Sequence, residues 1–281
     1  MIEAVALGPD QAVFAIARTK GESHVVAHSP AAARSLFHTK DILRALWIAD
    51  DGTCHAAGKR YYTNRGGSWT SHAIPLSEVF AMWVAGDEVF LGSGEGEVVH
   101  GRGDDWQLVG QALDAVLCIH GTSARDLYIG GIGGIAHFDG SELTPGEPLD
   151  DSHAVAGIHV SRGGDVWACS AVAVFKRTTT WTPVARLDED GELYGIGKGV
   201  GGVFVHRGFQ LLRVDPDRLS LVHDNEDKAL STKNGEFATC MASNGRRVVA
   251  GGARSVLVED GLGFADWPAL APTKPAKRRK S

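Results

Sequence analysis

Two histidines take the same position in neighbouring sequence units, and they are the residues best placed for chemistry. The segments VLCIHGT and VAGIHVS, residues 116–122 and 155–161, align His120 with His159 and place Cys118 two residues before His120. Imidazole and thiol groups can bind a soft metal, and paired imidazoles can serve as general bases. A metal site needs three or four ligands, so the sequence favours packed or water-bonded histidines. It predicts no metal, cofactor or catalytic residue.

A second chemically distinctive set is acidic and lies between sequence units. The connections that follow the fourth strand of a unit carry 13 acids, from Glu78 to Glu236, against Lys228 and Lys233. Charge of one sign attracts an oppositely charged partner and raises its association rate. The acids predicted to bind a partner are Asp150, Asp151, Asp188, Glu189, Asp190, Glu192, Asp224, Glu226 and Asp227.

The acidic connections have two interpretations. They can form a docking face for a basic protein surface, or a solvated rim that keeps the protein dissolved. Basic residues of the second-to-third turns share this face and partly offset its charge: Lys20, Lys59, Arg60, Arg207 and Arg254.

A sequence repeat of about 40 residues positions both the two histidines and the acidic connections. Short apolar second strands recur at Val13, Thr53, Val89, Leu127, Val166, Val203 and Val248, with spacings of 40, 36, 38, 39, 37 and 45. Bulky residues that open the fourth strands recur at Trp69, Trp106, Leu143, Trp181, Leu219 and Phe264, with spacings of 37, 37, 38, 38 and 45. Both series of positions end with the same long spacing of 45 residues, so they belong to one repeat.

Four short strands per unit, bounded by Gly, Asp and Asn, predict an all-β fold. A period near 40 with four strands is typical of a β-propeller. We therefore predict a seven-bladed β-propeller with four short antiparallel strands per blade, each blade complete in sequence. The alternatives are six blades with an irregular N-terminal segment, and an open β-solenoid.

One unit carries a family resemblance. The stretch GTSARDLYIGGIGGIAHFDGSEL, residues 121–143, resembles the repeat of bacterial WD40/YVTN/BNR-like propellers. The chain departs from these families in lacking a recurrent Gly-His and Trp-Asp pair, a kelch double glycine and a full Asp-box. The resemblance therefore implies a propeller fold and no particular activity.

Composition excludes several other classes. The chain has 281 residues, 36 Gly, 43% hydrophobic residues and no long apolar run, which excludes collagen and a membrane-spanning helix. Residues 1–273 carry 23 bases and 34 acids, a net charge of −11, which argues against nucleic-acid binding by the body. Four separated Cys and no visible signal peptide predict a cytoplasmic protein with reduced thiols.

The predicted organisation is a single propeller over residues 1–270 and a disordered basic tail over residues 271–281, APTKPAKRRKS. We predict a non-enzymatic protein-binding propeller that docks a basic protein on its acidic loop face, acting as a scaffold, a chaperone or a toxin-neutralising immunity protein. The alternatives are a glycan-active enzyme, a lyase or hydrolase with a site at the channel mouth, and a sugar-binding lectin. No membrane partner is predicted, and a monomer is assumed.

Overall fold

The protein is a ring of seven four-stranded antiparallel sheets. The computed structural model describes residues 2–29, 32–151, 154–188, 191–208, 210–224, 240–251, 255–260 and 263–268. Each sheet is built from four strands that are consecutive in the chain. This confirms the predicted seven-bladed propeller and makes the six-bladed and solenoid alternatives wrong.

The strands are numbered in chain order, four to a blade. Blades 1 and 2 comprise β1 (Ile2–Leu7), β2 (Val13–Thr19), β3 (Glu22–His28), β4 (Ala33–Thr39), β5 (Ala45–Ile48), β6 (Cys54–Ala57), β7 (Tyr61–Thr63) and β8 (Thr70–His72). Blades 3 and 4 comprise β9 (Val79–Ala85), β10 (Glu88–Ser93), β11 (Glu97–Arg102), β12 (Asp105–Gln111), β13 (Ala115–Ser123), β14 (Asp126–Ile132), β15 (Gly134–Phe138) and β16 (Leu143–Glu147). Blades 5 to 7 comprise β17 (Val155–Val160), β18 (Val166–Ser170), β19 (Ala173–Arg177), β20 (Trp181–Arg186), β21 (Gly195–Gly199), β22 (Gly202–Arg207), β23 (Gln210–Val214), β24 (Leu219–Asp224), β25 (Cys240–Ser243), β26 (Val248–Gly251), β27 (Ser255–Asp260) and β28 (Gly263–Pro268).

The first strand of every blade lies innermost and contacts the first strands of the two adjacent blades. These strands are apolar along most of their length because both faces of a blade are covered by neighbours. Small residues let the strands approach closely: a Cβ on Gly157 would lie 2.8 Å from the backbone nitrogen of Ile196 in the next blade.

Aromatic pairs join adjacent blades farther from the axis. In four blades, a bulky residue at the start of the fourth strand contacts an aromatic ring of the preceding blade. The pairs are Phe37–Trp69, Tyr61–Trp106, Tyr128–Trp181 and Phe204–Phe264, with ring centroids 4.4, 5.4, 6.3 and 5.3 Å apart. The three tryptophans are partly buried in these contacts, which accounts for their recurrence without a sugar-binding role.

The ring closes by side-chain packing between blades 1 and 7. Each blade completes its own sheet, and β1 pairs with β2 within blade 1. Ile2, Val5 and Val13 of blade 1 form one buried cluster with Val249 and Val256 of blade 7. The closing contact is therefore apolar, and among the described strands no strand is exchanged between these blades.

A buried carboxylate links blades 6 and 7. Glu259 of β27 is 4% exposed and accepts hydrogen bonds from the backbone nitrogens of Gly201 (2.8 Å) and Val248 (2.9 Å). In blade 2 the Asn64 amide oxygen accepts from the Cys54 backbone nitrogen (2.7 Å) at the corresponding place. Both side chains satisfy backbone donors where a second strand begins.

Helix is almost absent from the described residues, which contain two short 3-10 segments, Pro9–Gln11 and Arg65–Gly67. Within this part of the chain no helix is long and apolar enough to span a membrane. The predicted tail, residues 271–281, lies outside the described residues.

We expect Ile2→Ala to destabilise the ring at its closing contact. Ile2 is 1% exposed and packs against blade 7, so truncation should lower the free energy of unfolding by about 2–5 kcal/mol. Urea unfolding followed by tryptophan fluorescence measures the change. Leu221→Ala, at a residue 56% exposed, is the control and should change it by less than about 0.5 kcal/mol. Equal small effects of both substitutions would contradict a packed closure.

Candidate functional site

A central channel runs along the axis between the seven inner strands. Its volume is about 870 Å³, and its wall includes side chains from both ends of these strands. Glu3 and Arg44 lie near the end where the inner strands begin, and Asp50 and Arg162 near the end where they finish. This volume is in the range of small-molecule sites.

A chain of side-chain contacts crosses the channel, and we call its five members the channel belt: Trp47, Trp83, His120, His159 and Ser243. The indole of Trp47 contacts the Trp83 ring (6.1 Å between centroids) and the His120 ring (6.2 Å). The His120 and His159 rings are 5.2 Å apart. The alignment therefore placed the two histidines correctly at one height on adjacent blades.

Ser243 completes the belt from blade 7, reaching past blade 6. Its hydroxyl oxygen lies 2.9 Å from Nδ1 of His159 and accepts the backbone N–H of Lys198 at 3.0 Å. The intervening residue of blade 6 is Gly197, where a Cβ would lie 3.0 Å from Cβ of Ser243. Glycine at this position is what leaves room for the contact.

Burial keeps the belt imidazoles neutral. Desolvation is the larger cause and the neighbouring His159 the smaller one, and together they lower the pKa of His120 to about 3. Desolvation and the positive charge of Lys198 lower the pKa of His159 to about 4. Ser243 and His159 thus form a hydroxyl–imidazole pair, and no carboxylate among the described residues orients His159 as in hydrolases. An imidazole with so low a pKa is also a weak general base.

The two cysteines of the channel wall, Cys118 and Cys240, are also uncharged. Cys118 contacts the Val155 carbonyl oxygen through its sulfur at 3.7 Å, and burial raises the pKa of its thiol to about 12. Throughout the described ranges no group of three or more His, Cys, Asp or Glu residues is arranged to hold a metal ion.

The five predicted partner-binding acids that belong to the described residues lie on the face where the inner strands begin. Asp151, Asp188, Glu192 and Asp224 are exposed there. Asp150 is half-buried and accepts a hydrogen bond from the Ser170 hydroxyl, so it also supports the loop. Glu189, Asp190, Glu226 and Asp227 lie outside the described residues. Two further acids, Asp114 and Glu147, are exposed on the same face. We call the six exposed acids the acidic arc: Asp114, Glu147, Asp151, Asp188, Glu192 and Asp224.

The sequence interpretation missed the connection that precedes blade 2 on this face. That connection carries Lys40, Asp41 and Arg44, and the Arg44 guanidinium pairs with the Glu78 carboxylate at 2.6 Å. Glu78 is therefore locally neutralised, and the negative charge belongs to blades 3 to 6. The signal was available in the sequence, since residues 40–44 connect a fourth strand to a first strand as the later acidic segments do.

The opposite face is divided by charge. Turns of blades 2 to 4 carry exposed acids, including Asp51, Asp105 and Glu142. Turns and strand ends of blades 5 to 7 carry basic residues: Arg162, Lys176, Lys198, Arg213, Arg218, Arg246 and Arg247. Asp165 lies between Lys176 (3.2 Å) and Lys198 (3.4 Å) and partly offsets this charge.

Comparison with known proteins supports the fold. No protein-family model and no curated protein matches the chain. Among solved structures, a chain of the "Mitotic Checkpoint Complex" matches at 12% identity and TM-score 0.67, covering 95% of this chain and 87% of that chain. The RRP9 WD40 repeats match at 14% identity and TM-score 0.68, covering 89% and 87%, and U3-55K matches at 14% and 0.66, covering 96% and 92%. The chain thus has the seven-bladed WD40-type propeller fold. The resemblance to bacterial propellers in particular stays a prediction.

Three buried histidines predict how stability depends on pH. Burial lowers the pKa values of His55, His159 and His206 to about 4, against 6.5 for the exposed group. The unfolded chain therefore binds more protons between pH 6.5 and 4, so the free energy of unfolding should fall as pH decreases through this window, by up to about 3 kcal/mol per residue. Urea unfolding at half-unit pH steps measures the fall.

The control for this dependence is an exposed histidine. His206→Phe should reduce the loss between pH 6.5 and 4, whereas His38→Phe should leave it unchanged, because His38 is exposed. The lowered pKa of Asp139, about 2, contributes below this window. A free energy of unfolding that is constant from pH 6.5 to 4 would contradict the neutral buried imidazoles.

Proposed function

We propose that this protein is a non-enzymatic interaction scaffold that holds a basic protein partner on its acidic arc. The observation that carries the proposal is the exposure of Asp151, Asp188 and Glu192 on one face, on the two connections that join blades 4, 5 and 6. The loops of that face are held by a rigid ring, which fixes the spacing of the charges. Such a surface favours fast association with an oppositely charged partner.

The solved relatives in fold support the general part of this proposal. One of them is a chain of an assembly, the mitotic checkpoint complex. For the present chain, the narrower versions are a chaperone or a toxin-neutralising immunity protein, both of which would use the same acidic surface. We also propose a cytoplasmic location, consistent with four cysteines that are free thiols.

A glycan-active enzyme has less support. Glycoside hydrolysis commonly needs two carboxyl groups on either side of one bond. The described carboxylates of the channel wall are Glu3, near the beginning of β1, and Asp50, after the end of β5, so they lie toward opposite mouths. We therefore do not propose this activity.

The test compares two triple variants with the same change in net charge. Asp151→Asn, Asp188→Asn and Glu192→Gln neutralise the acidic arc. Asp105→Asn, Glu142→Gln and Asp217→Asn neutralise exposed acids of the opposite face. Tagged proteins capture partners from host lysate at low salt and at about 0.5 M salt, where exposed charges are screened, and quantitative mass spectrometry compares the recoveries.

The proposal expects one basic protein that the wild type and the control variant recover equally. The arc variant should recover it about tenfold less at low salt, with a weaker salt dependence, because three charge contacts are lost. Equal recovery by all three proteins, or a partner whose recovery does not depend on salt, would contradict docking on the acidic arc.

A further inference from the structure

The channel wall contains a buried hydrogen-bonding atom without a partner. His159 is 3% exposed and lines the channel, and its Nε2 makes no hydrogen bond to any described residue. A buried polar atom is ordinarily paired, because leaving it unpaired costs free energy. Nε2 itself is covered by its neighbours, so a ligand atom would gain a hydrogen bond there once a neighbouring side chain moved aside.

The Ser243–His159 hydrogen bond is compatible with either imidazole tautomer, and the tautomer that makes Nε2 a donor has Ser243 donating to Nδ1. Ser243 accepts the Lys198 backbone N–H, and its own hydroxyl proton is then free to be donated to Nδ1 of His159, 2.9 Å away. With Nδ1 accepting, the proton of the neutral imidazole is on Nε2. In this tautomer a ligand presents an acceptor to Nε2, and a metal ion, which needs a lone pair, does not fit.

The surroundings of His159 favour a flat apolar body. Trp47 and Trp83 line the channel beside His120, and Met241 lines it from blade 7. Met241 Sδ and Ser243 Oγ each lie 3.2 Å from the place that a Cβ of Gly197 would take, so the thioether is near the Ser243–His159 contact. Methionine side chains are flexible, so Met241 is a neighbour of this contact that can move aside for a ligand.

The charge near this site is positive. Lys198 follows Gly197 on β21, and its charge acts on His159. Arg162 lines the channel mouth two residues beyond Val160 and is exposed. Two acids oppose this charge: Asp165, which lies between Lys198 and Lys176, and Asp50, which lines the same channel mouth from blade 2. Three bases against two acids leave one positive charge in excess, which favours an anion over a cation.

We propose that the channel binds a small aromatic carboxylate. A carboxylate oxygen accepts the Nε2–H of His159, the charge lies toward Lys198 and Arg162, and the ring packs against Trp47 and Trp83. This site faces the axis and is separate from the acidic arc, so the proposal does not depend on the proposed protein partner.

The test is calorimetric titration of the full chain with 2-naphthoate and with its neutral analogue 2-naphthamide. Both have about 13 heavy atoms, a size for which a Kd near or below about 1 mM is reasonable. We expect saturable binding of the carboxylate, and at least about tenfold weaker binding of the amide, because charge-assisted hydrogen bonds are stronger. Chain labelled with ¹⁵N-histidine should show a shift at Nε2 of His159 on binding.

Matched variants locate the site. His159→Phe keeps a ring of similar size and removes the donor, so it should weaken 2-naphthoate binding at least about tenfold. His206→Phe makes the same change at a histidine that is equally buried, 3% exposed, but outside the channel wall, and should leave binding unchanged. Ser243→Ala keeps His159 and removes its partner, and it provides a second variant if His159→Phe does not fold.

Four results would overturn the proposal. They are an absence of saturable 2-naphthoate binding up to about 5 mM, equal affinity for the amide, unchanged affinity in both His159→Phe and Ser243→Ala, and an equal loss in His206→Phe. Circular dichroism of each variant establishes that it is folded before titration.

Discussion

The fold depends on one packing constraint: each four-stranded sheet is apolar on both faces, and a neighbouring blade must cover each face. A single such sheet would expose valine and isoleucine side chains to water on both sides, which is unfavourable in proportion to the area exposed. Seven blades solve this by closing into a ring, in which the seventh covers the first. The apolar cluster of Ile2, Val5 and Val249 makes that last contact without exchange of a strand.

In the closed ring, polar side chains can lie on the two outer faces of the ring or along the central channel. Polar side chains between blades are accepted where they satisfy backbone donors, as Glu259 does for Gly201 and Val248. The acidic arc then follows from topology. In an antiparallel blade, connections from a fourth to a first strand emerge on one face, so acids distant in sequence are gathered there. This rigid presentation of charge is the basis for the proposed docking function.

The repeat was predictable from sequence because strand packing imposes it on particular positions. Trp69, Trp106 and Trp181 recur since each contacts an aromatic ring of the preceding blade. The height of His120 and His159 in the channel followed from the same alignment. The contacts across the channel could not be predicted from the alignment. The repeat gives the height of a residue along the axis, but not how far its side chain extends. Trp47 passes blade 3 to contact His120, and Ser243 passes Gly197 to contact His159.

The pairing of charged side chains likewise could not be predicted by counting charged residues in the sequence. Arg44 neutralises Glu78 from the preceding connection, and Asp150 accepts a hydrogen bond from Ser170. Both acids belonged to the predicted face, yet neither is a fully available charge. Only the folded arrangement distinguishes them from Asp151 and Asp188, which are exposed.

The most direct test of the central claim is zero-length carbodiimide cross-linking of the protein to its captured basic partner, with peptide mapping. The reaction joins an Asp or Glu carboxylate to a lysine amine in contact with it. Docking on the acidic arc predicts cross-links from Asp151, Asp188 or Glu192 to partner lysines. Cross-links formed instead by Asp105, Glu142 or Asp217 would contradict the account, because those acids lie on the opposite face.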